Sequence, residues 1–241
     1  MSDVTTRTDA GIDEAARAAA RDERWRSRTR IIGTVGLVAA VLLFAPIIAI
    51  STLGEPDFSG SADEVAAFFA AGEQAWAAAA MATASLGMVA FLWFAAGLTT
   101  ILRRYEGEPA WRSTAALASA AVAAAFGVID ASWEAAANRG GTIDPAVAVY
   151  AFDVSNLGFA NAWIALGAFA IGCGWVLVDG PCRRRAWAGW WAIAAGAGLI
   201  AVRYAWEGAW WFLPYAVFWA WVITMSIVLI VRRSLDHHAH G

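Results

Sequence analysis

Long apolar runs, each about the length that crosses the hydrocarbon of a bilayer, recur six times along this chain of 241 residues. They occupy residues 31–53, 75–102, 113–134, 146–178, 186–206 and 210–231. A chain that is 60% hydrophobic and only 15% charged is too apolar for a soluble domain of this size. The expected fold class is therefore all-α: a polytopic membrane helical bundle with six transmembrane helices, filling residues 31–233 as one membrane domain. Fifteen tryptophans, several where apolar runs meet polar ones, match the aromatic belts of bilayer interfaces.

Basic residues test this map independently. All 17 are arginine, which excludes chemistry that needs a lysine amine, such as a retinal Schiff base. Arg7, Arg17, Arg21, Arg24, Arg26, Arg28 and Arg30 precede the first run. Arg103, Arg104 and Arg112 lie between the second and third, Arg183, Arg184 and Arg185 between the fourth and fifth, and Arg232 and Arg233 after the sixth. The other side holds only Arg139 and Arg203. Six spans put every basic cluster on one face, so both termini are expected in the cytoplasm; five or seven would spoil the separation. A multi-pass protein of a bacterial inner membrane is the expected setting.

Residues 1–30 read as a cytoplasmic tail, helical or partly disordered, with Trp25 and its neighbouring arginines meeting anionic headgroups. Residues 234–241 read as a second cytoplasmic tail. The first apolar run exceeds a signal-peptide core, so no cleavage is expected. After it, Ser61-Ala-Asp-Glu64 has capping-box spacing and leads into Val65, Phe68 and Phe69. This predicts a short amphipathic helix lying on the outer interface, or a structured loop.

Residues seven apart stay on nearly one helix face. That walk gives Ala116, Ala123 and Asp130 in the third run, Asp153, Ala160, Gly167 and Gly174 in the fourth, and Gly189, Gly196 and Arg203 in the fifth. Small residues along one face let neighbouring backbones approach, so each stripe should face another helix. Each also ends in a charge on the outer side. Glu134 follows Asp130 by one turn and Glu207 follows Arg203, while Tyr150 and Asn156 flank Asp153, with Asn161 deeper. The expected polar cluster is Asp130, Glu134, Asp153, Asn156, Arg203 and Glu207. Charges at depth cost about 2.5–3.5 kcal/mol each and call for pairing or water. The leading expectation is a structural network, with Arg203 tied to Asp130 or Asp153. A solute, proton or cation site is the rival, since four carboxylates face one sure arginine.

Other chemistry lacks its residues. The three histidines, His237, His238 and His240, sit in the C-terminal tail, so no metal centre is expected. Cys173 and Cys182 have no disulfide or zinc spacing. No protease, hydrolase or nucleotide-binding motif is present, no cofactor is implied, and a net charge of −3 gives no support to nucleic-acid binding.

The segment Ser61-Ala-Asp-Glu-Val-Ala-Ala-Phe-Phe69, the joint Gly180-Pro181…Trp187 and the span spacing over most of residues 31–233 resemble an uncharacterised six-helix membrane family common in high-GC bacteria, described as a domain of unknown function. The triplet Arg183–Arg185 departs from that joint. The resemblance implies six helices in a bacterial plasma membrane and carries no catalytic residues. The functional expectation is a non-enzymatic scaffold, accessory subunit or sensor; the alternative is a proton- or cation-linked small-solute carrier with Asp130 and Asp153 loading and releasing. An enzyme acting on lipid would need Asp130, Asp153 and Glu207 to converge. The bilayer is the one certain partner. A second copy, another membrane protein or a small-molecule or cation ligand stays open, because small-residue faces serve packing within or between subunits alike.

Overall fold

The structure, a computed structural model, describes residues 3–51, 54–71, 75–129, 131–180, 186–206 and 209–231. Asp130, Cys182, Arg183, Arg184, Arg185, Glu207 and everything beyond Val231, including the three histidines, lie outside the described residues. Those described form helices and no strand, as expected where lipid offers backbone groups no hydrogen-bond partner. The helices are α1 (Asp3–Ser51), α2 (Ala62–Ala70), α3 (Ala75–Glu106), α4 (Trp111–Ile129), α5 (Ala131–Arg139), α6 (Pro145–Asp179), α7 (Ala186–Val202) and α8 (Phe212–Val231). Short 3-10 turns join them at Gly140–Thr142, Arg203–Ala205 and Ala209–Trp211.

Among the described residues, five helical segments are long and apolar enough to cross a membrane: Ala19–Ile50, Ala79–Glu106, Trp111–Thr142, Pro145–Asp179 and Phe212–Val231. The chain is a membrane protein built as a helical bundle. The fifth apolar run of the sequence is the shorter α7, with 17 residues. α1 runs unbroken through residue 30, where the sequence turns from polar to apolar, so that change of composition is not a break in the helix.

α1, α3, α4, α6, α7 and α8 form a closed ring in which sequence neighbours are spatial neighbours and α8 returns to α1. The tightest seam is α6 on α7. A Cβ placed on Gly167 would lie 2.6 Å from the Gly196 carbonyl oxygen, and one on Gly196 would lie 2.5 Å from that of Gly167. Gly174 and Gly189 repeat this arrangement at 2.5 and 2.7 Å. One number rises by seven as the other falls by seven, so the helices run antiparallel with their backbones touching. The small-residue stripes thus face helices, and Ala116 of α4 likewise meets Gly172 of α6. Dispersion between closely approached backbones holds such a seam where lipid removes the hydrophobic drive.

Large rings fill the middle. Phe91 of α3 meets Phe169 of α6 edge-on at 5.3 Å, and Phe218 and Trp219 of α8 at 6.2 and 5.5 Å. All four are essentially inaccessible.

A second, smaller apolar core caps the end where α5 and α6 meet. It gathers Ile50, Val65, Phe68, Phe69, Trp133 and Phe152 with neighbouring alanines. Here α2 departs from the expected interfacial helix. Its apolar face is buried against α6 and the 3-10 turn, with Phe69 5.5 Å from Trp133, and so is not offered to lipid. The capping box forms as its spacing predicts: the Ser61 amide donates to Glu64 Oε2 at 2.8 Å, and the Glu64 amide to Ser61 Oγ at 3.3 Å. The indole of Trp133 donates to Glu55 Oε1 at 2.7 Å and fastens the loop over the cap.

Candidate functional site

Of the six polar residues singled out by the sequence, four are described, and no hydrogen bond or ion pair joins any two of those four. Asp153 is exposed on α6. The glycine register places Ala160 opposite Arg203, just beyond the end of α7 at Val202, so the stripe that is buried at Gly174, Gly167 and Ala160 has no α7 to cover it at Asp153. Glu134 is half-buried on α5 and forms no ion pair among the described residues. Arg203 is not tied to Asp153. Its Nε donates to Oδ1 of Asn161 at 2.8 Å, which fixes the first 3-10 residue after α7 to the middle of α6. Asn156 is buried, 7% exposed, and its Nδ2 has no acceptor. Tyr150 projects outward at 70% exposure. Asp130 and Glu207 lie outside the described residues.

The charged network that the structure does hold is at the other, arginine-rich end. Glu106 closes α3, and its carboxylate accepts from the amides of Arg112 and Ser113 at 2.8 and 2.9 Å, from Ser113 Oγ at 2.6 Å and from Arg112 Nε at 3.1 Å. It satisfies the amides at the start of α4, where the helix dipole favours a negative charge. Arg112 then reaches Asp179, the last residue of α6, through Nη1. Its guanidinium also lies 5.3 Å from the centre of the Trp175 ring, which meets Trp111 edge-on. Three helix ends are joined through one arginine. A parallel contact sets Arg104 over Trp25 at 3.7 Å and ties α1 to α3, so Trp25 packs on the protein rather than simply meeting headgroups.

No known protein family, curated protein or solved structure matches this chain.

The arginine-rich clasp escaped the sequence reading because Arg112 was already explained by topology. The available signal was Glu106 six residues ahead of an Arg-Ser pair, across a turn marked by Gly107 and Pro109. Gly107 adopts φ +75°, a left-handed conformation that glycine takes without strain. Among the described residues no group of three histidine, cysteine or acidic side chains is arranged to hold a metal ion.

The opposite end is closed by rings. Trp211 is sandwiched between Trp163 (5.6 Å, 15° between planes) and Phe58 (5.6 Å, 28°), with Trp206 against Phe58 and Phe159 against Trp163. Two further hollows lie at the surface. One of about 670 Å³ is formed by the 54–60 loop and α2 and carries Asp57 and Glu64. The other, about 570 Å³ along α1, carries Glu23, Arg26 and Arg30. Neither enters the helix ring.

Proposed function

We propose that this protein is a non-enzymatic, six-span membrane scaffold or accessory subunit of a bacterial inner membrane, with both termini in the cytoplasm. The observation that carries this reading is the filled ring. Phe91, Phe169, Phe218 and Trp219 occupy its middle, and the buried polar residues described are Thr29, Thr99, Ser113, Ser155, Asn156 and Ser226, while the Glu106 carboxylate, whose side chain is 3% exposed, is tied to Arg112 and Ser113 at the end of the bundle. Three of those hydroxyls donate to carbonyls of their own helix, Thr29 to Arg26, Thr99 to Ala95 and Ser226 to Val222, so their O–H donors are used within the helix. A carrier would need carboxylates that load and release within the bundle, and Asp153 is exposed near its end.

Support for six spans comes from α7. Its 17 residues continue into the three of the Arg203–Ala205 turn, together about 31 Å at the usual rises, enough for a ~30 Å hydrocarbon core. Its antiparallel pairing with α6 and α8 supports a full crossing. Arg103, Arg104 and Arg112 at one end, against Arg139 and Arg203 at the other, support the orientation.

Two measurements test the reading. Reconstituted protein should pass no more protons or cations than empty vesicles, and a gradient-driven flux lost in Asp153→Asn would overturn the scaffold in favour of the carrier. Single cysteines placed before residue 30 and in the 140–142 turn should be labelled from opposite sides of spheroplasts; labelling from one side would remove the topology.

A further inference from the structure

The described residues leave three buried polar side-chain atoms without a partner, and all three are N–H donors: Asn156 Nδ2, Trp163 Nε1 and Trp219 Nε1. The deficit is one-sided, with no buried side-chain acceptor left over. It is also local. Trp221, as inaccessible as Trp163, donates to the Ala188 carbonyl at 3.0 Å; Trp191 donates to Val217 at 3.2 Å and Trp133 to Glu55. Of the four fully buried indoles, Trp133 and Trp221 have acceptors and Trp163 and Trp219 do not. Trp219 lies deeper, one turn from Tyr215, whose ring is 6.1 Å away. Asn156 and Trp163 instead share one face of α6, seven residues apart. Helical side chains lean toward the helix N-terminus, so the Trp163 ring extends toward Asn156, and its 5.3 Å contact with Phe159 fits that direction.

A buried donor without an acceptor costs about 1–3 kcal/mol, so two on one face define a place for a group that accepts and does not donate. Depth selects the group. Asp179, held by Arg112, marks one face of the bundle, and Asn156 lies about 34 Å from it along α6 at 1.5 Å per residue. That is a little beyond a ~30 Å hydrocarbon core, the level of the glycerol esters in the opposite leaflet, whereas the Trp163 Cα lies about 24 Å from Asp179, inside the hydrocarbon, with its ring leaning back toward Asn156. The walls beside the donors are rings, Phe159 and Trp211, and both are partly exposed, as is Phe58 above them. Acceptor-only oxygens on an apolar body describe an ester-linked lipid.

We infer that Asn156 and Trp163 seat a diacyl phospholipid of that leaflet, its ester carbonyl oxygens accepting from Asn156 Nδ2 and Trp163 Nε1 once the Trp211 and Phe58 rings shift aside, with an acyl chain lying along Phe159. The inference rests on the membrane setting alone, and its readout is independent of flux, so it stands or falls apart from the scaffold reading.

The test compares phosphatidylethanolamine in diester form with its diether analogue of identical chains, which lacks the carbonyls. Delipidated full-length protein titrated with each should melt about 4–8 °C higher in the diester, about 2–4 °C for each of the two hydrogen bonds in a protein of this size. The gap should close in the Asn156→Leu/Trp163→Phe double variant. Equal melting of wild type in the two lipids would overturn the inference, and so would a gap that survives in the double variant. Should the double variant fail to fold, Trp163→Phe alone keeps the ring and removes the donor. It should narrow the gap, and an unchanged gap overturns the assignment.

Discussion

At the arginine-rich end of the bundle, Glu106, Arg112 and Asp179 join the ends of three helices, whereas at the opposite end Arg203 reaches only the amide of Asn161 and Asp153 meets nothing charged among the described residues. Both ends carry ionisable side chains at helix termini, yet one end uses them as fasteners and the other closes with rings and the α2 cap. The difference lies in what the connections allow. A turn of four residues, 107–110, returns the chain so tightly that the Glu106 carboxylate meets the first free amides of α4. The longer connections opposite leave room for α2 to dock and for Phe58 to lie on Trp211.

Packing along the α6–α7 seam is the same toward either end, and the largest expected effect checks this. Gly196→Ala and Gly189→Ala each force a Cβ to 2.5–2.7 Å from a backbone oxygen, and each should cost about 3 kcal/mol in thermal melts. Gly158→Ala in α6, with nothing within 4 Å of its Cβ, should instead gain about 0.5–1 kcal/mol from helix propensity. Unequal losses at the two seam glycines would place the asymmetry between the ends in packing rather than in charge.

Next in size is the clasp. Glu106→Ala strips the acceptor from two amides, a hydroxyl and a guanidinium, and should destabilise by about 2 kcal/mol. Arg203→Ala at the opposite end removes one hydrogen bond to a half-buried amide and should cost about 1 kcal/mol or less. A larger loss for Arg203→Ala than for Glu106→Ala would reverse the comparison.

The seam glycines were legible in the sequence because seven-residue spacing of small side chains is a property of one helix, readable without knowing its neighbour. The Ser61–Glu64 box was legible for the same reason: four consecutive residues contain it. Asp153 was misjudged on the same periodicity, because its burial depends on where α7 stops, and α7 stops at Val202. The partner of Arg203 was expected among carboxylates. It is Asn161, which is off the stripe but directly follows Ala160, the residue that the antiparallel register sets opposite Arg203. The docking of α2 on Trp133 depends on contact between segments more than 60 residues apart, and local pattern carries none of it.

A smaller effect tests the docked cap by pH. The Ser61 amide and hydroxyl hold the Glu64 carboxyl below the usual carboxylate range, so the folded form binds this proton less readily than the unfolded chain. The stabilising contribution is therefore complete above the ordinary value of 4.5 and fades as pH falls through the lowered folded value. Protection of the α2 amides against hydrogen exchange should weaken over that acid range in wild type and show less pH dependence in Glu64→Gln. Because Glu64 is fully exposed, the effect should stay within α2 and leave the melting temperature of the bundle unmoved.

The smallest expected effect sharpens the contrast most. Asp153 stands on α6 past the end of α7, exposed and unpaired among the described residues, so Asp153→Asn removes a charge that holds nothing. Substitution at such a position should change stability by less than about 0.5 kcal/mol. The melting curve of the variant in detergent should overlay that of wild type at pH 7 and again at low salt, where an unscreened ion pair would show most strongly. A salt-dependent loss well above that figure would mean that Asp153 is paired in the folded protein, and the end closed by rings would then hold charge as tightly as the clasp does. An overlay at both salt concentrations leaves electrostatic fastening to Glu106, Arg112 and Asp179, and leaves Asp153 outside what holds the helices together.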